Sequence, residues 1–407
     1  MNIKQKIPMV LIALLPSLFL TSSVIAQVDS AIVEELRAQI EALSSRLEQL
    51  ERGSELISQT VEQNQSYARA SSWIERMRIS GDLRPRFENI DDALVSSDRN
   101  RNRIRARVAV EAELNDNWSA GVGLASGGTD PISANQSFGG GGFTKDLGLD
   151  LAYVTYQGFT NTALTAGKYR NVFFTAGGNG MVFDSDYRPE GVAVEFKRDK
   201  LFFNAGTMIL ESDDNFDSQD KETLWGMQLG YEFSLDSGSL TVGTSYYDAS
   251  VAGSMPFYLG DPYSNSVDAA GALVNDYHEW ELFAEASFTV AGKPLRLYSD
   301  YITNLDADEF DTGWALGVTY GSARGLGNWE VGYGYQDLEA DAILGSLTDS
   351  DFAGGGTDNE GHILEFAYGL GDSTRIGFTY TITEYGEARL GKKEDYNRLQ
   401  LDLQLGF

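Results

Sequence analysis

From Met77 to the end of the chain, apolar and polar positions alternate with a period of two. Met77, Ile79, Gly81, Leu83, Pro85 and Phe87 alternate with Arg78, Ser80, Asp82, Arg84, Arg86 and Glu88. Ile104, Ala106, Val108, Val110, Ala112 and Leu114 then alternate with Arg103, Arg105, Arg107, Ala109, Glu111 and Glu113. The pattern recurs at Trp225 to Phe233 and at Trp280 to Val290, where Glu279, Glu281 and Glu285 take the opposite face. Such alternation predicts β-strands with one apolar face. Strands of a soluble sandwich run to about 5 or 6 residues. These run to about ten, the length a tilted strand needs to cross a bilayer.

The connections strengthen this reading, because they alternate short and long along the chain. Short ones fall near 115–117, 157–162, 197–200, 234–239, 291–294, 321–328 and 370–373. Long ones fall near 88–100, 126–147, 170–189, 211–222, 248–276, 303–312, 336–360 and 384–395. Fifteen connections predict sixteen strands, with all the long loops at one rim, as in outer-membrane barrels. The fold class is therefore all-β, a 16-stranded antiparallel transmembrane β-barrel over residues 73–407. Its last segment alternates Leu399, Leu401, Leu403 and Leu405 with polar residues and ends on Phe407. That terminal aromatic matches the signal read by the outer-membrane assembly machinery.

Ahead of the barrel the period changes. Val33, Leu36, Ile40, Leu43, Leu47, Leu50, Ile57 and Val61 recur at spacings of three and four, broken where Ser54 takes a core position. This heptad seam predicts an N-terminal α-helical coiled coil over 27–62 and hence self-association. Residues 63–72 (QNQSYARASS) read as a linker. Residues 1–26 read as a secretory signal peptide: Lys4 and Lys6, then an apolar stretch from Ile7 to Phe19, then Val24-Ile25-Ala26 before the cut. The apolar stretch is too short for a membrane-spanning helix, which needs roughly 20 residues.

Composition narrows the chemistry. The chain has 44 Gly, 20 Tyr and 21 Phe but only 8 Pro, as a barrel would. It has no Cys, which removes thiol catalysis and Cys-bound metals. A net charge of −29 disfavours nucleic acid as a partner, and none is expected, since phosphate binding needs a dominant basic surface. Acidic runs at Glu211 (ESDDNFDSQD) and Leu305 (LDADEFD) lack the spacing of an EF-hand loop, so no metal is assigned. Gly139 to Gly142 precede no helix, which argues against a phosphate cradle. No cofactor is expected. Only two histidines could serve as a catalytic base, and both His278 and His362 share the outward parity, so an enzyme is not expected.

Parity also lines the interior. Arg84 and Arg86 on the first strand, with Arg101, Arg103, Arg105 and Arg107 on the second, form one basic wall. Facing lipid, each would cost about 2 to 4 kcal/mol near the midplane. Glu279, Glu281, Glu285 and Asp300 line strands farther round. Trp118, Trp225, Trp280, Trp314 and Trp329, with Tyr231, Tyr320, Tyr333 and Tyr380, are expected near strand ends as interfacial girdles.

Four motifs stand out: WIERMRISGDLRPRFE from Trp73, RNRIRARVAVEAELNDNWSAGVGLASG from Arg101, LDLAYVTY from Leu149 and DSDYRPEGVAVEF from Asp184. In these the barrel resembles the bacterial "putative porin" family, distant relatives of the trimeric general porins. The resemblance implies passive diffusion of small hydrophilic solutes and ions, a trimer, and one loop folded into the lumen. The matching loop is the third, Asn171 to Glu190, which would set Asp184, Asp186 and Glu190 against the basic wall as a transverse field. The seam alone would favour a dimer, so the trimer rests on the resemblance. Expected partners are outer-membrane lipid and lipopolysaccharide, further copies of the chain, the assembly machinery and the solutes. The alternative is an outer-membrane structural tether or adhesin that works through the coiled coil.

Overall fold

The computed structural model describes residues 30–212 and 221–407, so the signal segment 1–26 and most of the acidic run from Glu211 lie outside the described residues. The chain divides between Ser72 and Trp73 into two units.

The first unit holds all but the last two residues of α1 (Ser30–Ile74), a single helix of 45 residues, about 68 Å long. It runs through 63–72, where a linker was expected. That segment contains neither Gly nor Pro to stop a helix, and its Gln, Ala and Arg residues favour one. Ile40, Leu43, Leu47, Leu50 and Val61 are exposed along it. The side chains of Val33, Leu36 and Ile57 lie outside the described residues.

In the second unit, sixteen strands form one antiparallel ring. They are β1 (Met77–Asp92), β2 (Arg99–Asn115), β3 (Trp118–Ser126), β4 (Leu147–Phe159), β5 (Thr162–Lys168), β6 (Glu190–Arg198), β7 (Leu201–Glu211) and β8 (Glu222–Leu235). The circuit continues with β9 (Gly238–Ala249), β10 (Tyr277–Val290), β11 (Lys293–Asn304), β12 (Thr312–Gly321), β13 (Trp329–Leu338), β14 (Asn359–Gly369), β15 (Thr374–Tyr385) and β16 (Glu394–Gly406). Each strand pairs with its sequence neighbours, and β16 pairs with β1 to close the ring. No edge is left unpaired. A two-residue bridge, Gln136–Ser137, also pairs with β2.

Seven short turns sit at one end and eight longer loops at the other. The loops are L1 (93–98), L2 (127–146), L3 (169–189), L5 (250–276), L6 (305–311), L7 (339–358) and L8 (386–393), and L4 is the connection between Glu211 and Glu222, of which 213–220 lie outside the described residues. Strand parity is that of the sequence pattern: Ile79, Leu83, Val108, Val122, Leu229, Leu282, Leu364 and Leu403 are exposed on the outer face. Aromatic pairs mark both ends of this apolar band. Trp118 with Tyr156 and Tyr320 with Trp329 lie at the short-turn end, while Trp225 with Tyr246 and Trp314 with Tyr335 lie at the long-loop end. Tyr333 and Tyr380 fall in mid-strand instead.

The ring closes on Phe407. Gly81 N–H donates to the Phe407 carbonyl at 3.0 Å, and Phe407 N–H donates back at 3.1 Å. The Phe407 ring lies over Gly81 so closely that a Cβ there would sit 2.5 Å from it. Only glycine fits beneath the terminal aromatic.

The interior is not uniformly wet. Towards the long-loop end, inward Met208, Leu224, Tyr247, Tyr277, Ile302 and Leu338 pack against Phe183, Met181, Ile343 and Leu347 of L3 and L7. The barrel thus holds a second, internal hydrophobic core built of loops on strands. Sequence parity placed polar groups inside without revealing that folded-in loops would cover an apolar part of the wall.

Candidate pore constriction

Antiparallel pairing of β1 with β2 sets Arg84 opposite Arg105, Arg86 opposite Arg103 and Glu88 opposite Arg101. Like charges in register repel, so the wall needs carboxylates. They arrive from four elements. From β1 itself, Asp82 accepts from Arg105 Nε at 3.0 Å and Arg107 Nε at 2.6 Å. Also on β1, fully buried Glu88 pairs with Arg101, lies 3.6 Å from Arg103, and pairs with Arg398 of β16 at 2.6 Å. From β16, Asp402 takes two bonds from Arg86. From L7, Asp351 joins Arg86 and Arg398. From L3, Asp186 accepts from Arg105 at 3.2 Å and Arg107 at 2.8 Å.

This corrects the expected transverse field. Asp186 is in direct contact with the arginines, so the charges neutralise one another where separation across water was expected. Asp184 faces L7: it accepts from Asp186 N–H at 2.6 Å and Ser350 N–H at 2.9 Å. Glu190 starts β6 and pairs with Lys168 at 2.8 Å, exposed and away from the wall. The acidic strand residues face inward, and three of the four hold loops. Glu279 accepts from Leu344 N–H at 3.0 Å, Glu281 from the Tyr247 hydroxyl at 3.2 Å, Glu285 from Gly177 N–H at 2.8 Å, and Asp300 from Asn179 at 3.0 Å.

L3 is the inward loop, and a second joins it. The L3 tip turns on Gly177, whose φ of 67° and contact with the Tyr298 ring leave no room for a side chain. L7 is buried for most of its length and is bound to L3 by Asp184 N–H to the Leu347 carbonyl (2.8 Å) and Asp349 N–H to the Gly180 carbonyl (2.9 Å). L5 is stitched to L7 by Asn265, which donates to the Ala340 and Ile343 carbonyls at 2.8 Å each.

Loop carboxylates are set apart by these surroundings. Burial, with Asp349 alongside, pushes Asp184 up to about 8. Burial and neighbouring Asp351 push Asp349 up to about 6. Burial would also raise Asp351, but Arg398 and Arg86 outweigh it and hold that group well below the ordinary range. Asp186 is likewise held low, Arg105 and Arg107 outweighing its burial.

Between the loops and the wall a cavity of about 300 Å³ remains, bounded by the L3 tip, Arg84, Arg86, Asp351, Gln400 and Thr381. A wider one of about 890 Å³ lies towards the short-turn end beside Phe174, Phe202, Lys197 and Glu232. The interior is therefore narrow at L3 and L7 and broad below them. Neither histidine enters it. His362 is exposed and meets the Tyr333 hydroxyl at 2.9 Å, and His278 lies between Asp248 and Asp306 where β10 leaves L5.

Glu88, Arg398, Asp402 and Asp351 were not among the expected site residues. The first three share the inward parity of their strands, and closing sixteen strands makes the last a neighbour of the first. L7 carries no comparable signal, since loop residues have no period from which direction could be read.

A family model described as "Putative porin" matches residues 92–256 and 272–407. Among solved structures, OprB of Pseudomonas putida, in a high-pH structure, is similar at 12% identity and TM-score 0.58, over 83% of this chain and 96% of that one. OmpF of Salmonella typhi, in complex with daunomycin, is similar at 11% identity and TM-score 0.51, over 81% of this chain and 97% of that one. Both show the same closed-barrel fold. Among curated proteins none is similar in sequence to this chain.

Proposed function

The chain belongs to the putative porin family, and from that premise we propose that it is an outer-membrane porin through which small hydrophilic solutes and ions diffuse passively. The observation that carries this is the segregation of charge: arginines and carboxylates cluster inside a closed ring whose outer face is apolar. Only a polar interior serves hydrated solutes, and only an apolar exterior suits a bilayer. Family and fold point to a channel and not to catalysis.

L3 and L7 together set the narrowest part of the path. Wall charges along the path favour polar solutes over apolar ones, which would forfeit solvation there. In the full reading, residues 1–26 direct export and Phe407 engages the assembly machinery. The rim contacts lipid and lipopolysaccharide. α1 lies in the periplasm, joining copies through its seam, with a trimer as the assembly. Stepwise conductance of the purified full-length protein in planar bilayers tests the function; a folded barrel that never opens a channel would sink it.

A further inference from the structure

Among the described residues, seven guanidiniums and five carboxylates meet on the wall around β1, β2 and β16. Arg86, Arg101, Arg103, Arg105, Arg107 and Arg398 each lie against Asp82, Glu88, Asp186, Asp351 or Asp402. The seventh, Arg84, has no ion pair. Its Nη2 donates to the neutral Asn135 Oδ1 at 2.9 Å, and its Nε has no partner. Arg84 is only 8% exposed. Across the strand it faces Arg105, whose carboxylate partners are shared with Arg107.

Asp402 and Asp351 act on Arg84 from a distance, but both are ion-paired to Arg86, and a buried cation with no carboxylate in contact is strongly disfavoured. Water could satisfy its donors but would not neutralise it. On the strands beside it, Gln400 Nε2 and Thr381 Oγ1 also make no hydrogen bond. Both residues are more than nine-tenths buried. All three line the same 300 Å³ cavity, on the adjacent strands β1, β16 and β15. Arg84 Nε and Gln400 Nε2 can only donate, and the Thr381 hydroxyl can donate as well. Towards these three groups an occupant must therefore offer several acceptors and carry negative charge; of the carboxylates that also line the cavity, Asp351 and Asp402 are held by Arg86, and Asp349 and Glu365 complete the lining.

We propose that this cavity is a binding site for small carboxylates, with Arg84 as the counter-cation and Gln400 and Thr381 as further donors. The planar guanidinium matches a carboxylate's two oxygens. Chloride, a single acceptor, does not satisfy donors on three strands. The proposal rests on the porin reading for the solute's route to the cavity, and it names the solute class that would pause there. Residence has to be brief, because conduction needs sites that are left as readily as entered.

The test is calorimetric titration of the full-length protein in detergent with potassium succinate, with potassium chloride at matched ionic strength as reference. Saturable succinate binding is expected, weakened roughly tenfold or more in Arg84→Met, as loss of a charged hydrogen bond implies, and weakened less in Gln400→Leu. Absence of binding to the parent protein, equal binding by Arg84→Met, or equal displacement by chloride would overturn the site. Should Arg84→Met not fold, undiminished binding by Gln400→Leu overturns it instead. Planar-bilayer conductance of the same preparation reads the porin function separately. A barrel that binds succinate without conducting keeps the site and loses the diffusion reading, and one that conducts without binding does the reverse.

Discussion

Arg86 and Asp402 are register partners across the seam where the first strand meets the last, joined by Nε to Oδ1 at 2.7 Å and Nη2 to Oδ2 at 2.8 Å. Both side chains are at least nine-tenths buried. Two positions 316 residues apart in sequence are thereby pinned inside the barrel as well as along its ladder. Removing Asp402 leaves Arg86 with Asp351 as its one remaining carboxylate, at a cost of about 1 to 3 kcal/mol for the charged hydrogen bonds lost. Asp402→Ala should accordingly lower the stability of the folded barrel by that order in urea unfolding from micelles. Replacing both partners, Arg86→Met with Asp402→Leu, should cost less than Asp402→Ala alone. A double variant no better than the single would show that the pair is not the unit of stability.

Asp186 ties L3 to Arg105 and Arg107. Asp186→Asn removes one negative charge from the narrowest region and leaves those two arginines with Asp82. Ion selectivity should shift towards anions, read as reversal potential in a potassium chloride gradient. The docking of L3 should weaken by about 1 to 3 kcal/mol, the scale of a charged hydrogen bond lost, seen as faster hydrogen exchange in 176–187. Unchanged selectivity would remove Asp186 from the conduction path.

The strand count, the inward parity of all six predicted arginines and the placing of the loops at one end were legible because a pleated strand has a strict period of two. What parity cannot encode is distance along the third dimension. Glu279 and Asp300 point inward as their alternation requires, yet L7 and L3 cover them. Asp186 and Asp184, two residues apart in one loop, face different partners, because no repeat governs a loop's direction. The helix was legible in its seam but not in its end, since a polar run without Gly or Pro reads as linker or helix alike.

The contact between L3 and L7 should weaken as pH rises. Asp184 and Asp349 are raised, to about 8 and about 6, above the ordinary value, near 4. The docked loops therefore bind protons more tightly than separated ones. Their stabilising effect is fully present below pH 4 and is lost as pH climbs through about 6 and then about 8. Asp351 and Asp186 have the opposite sign, being held low by Arg398 and Arg86 and by Arg105 and Arg107; they stay ionised throughout this window and leave the trend intact. Hydrogen exchange of 345–352, corrected for its intrinsic base catalysis, should show protection falling between about pH 4 and 8 and level above that. Asp184→Asn should flatten the upper step. The same profile in that variant would place the titration elsewhere.

α1 presents Ile40, Leu43, Leu47 and Leu50 at 60 to 74% exposure on a helix of 45 residues. A leucine taken from water contributes about 1.5 to 3 kcal/mol, so four such positions in one stripe supply enough to hold helices together if copies associate. The stripe is narrow, repeating at three and four, which suits a facing helix better than a broad surface. Leu43→Asn with Leu47→Asn should then lower the assembly state of the full-length protein, measured by crosslinking and by sedimentation in density-matched detergent. The barrel's ladder contains neither residue, so its heat-modifiable migration on gels should not change. If the double variant keeps the parent's assembly state, association comes from the barrel wall and the seam serves another partner. If it falls to monomers, α1 is what joins the copies, and the mass of the parent assembly then counts them directly.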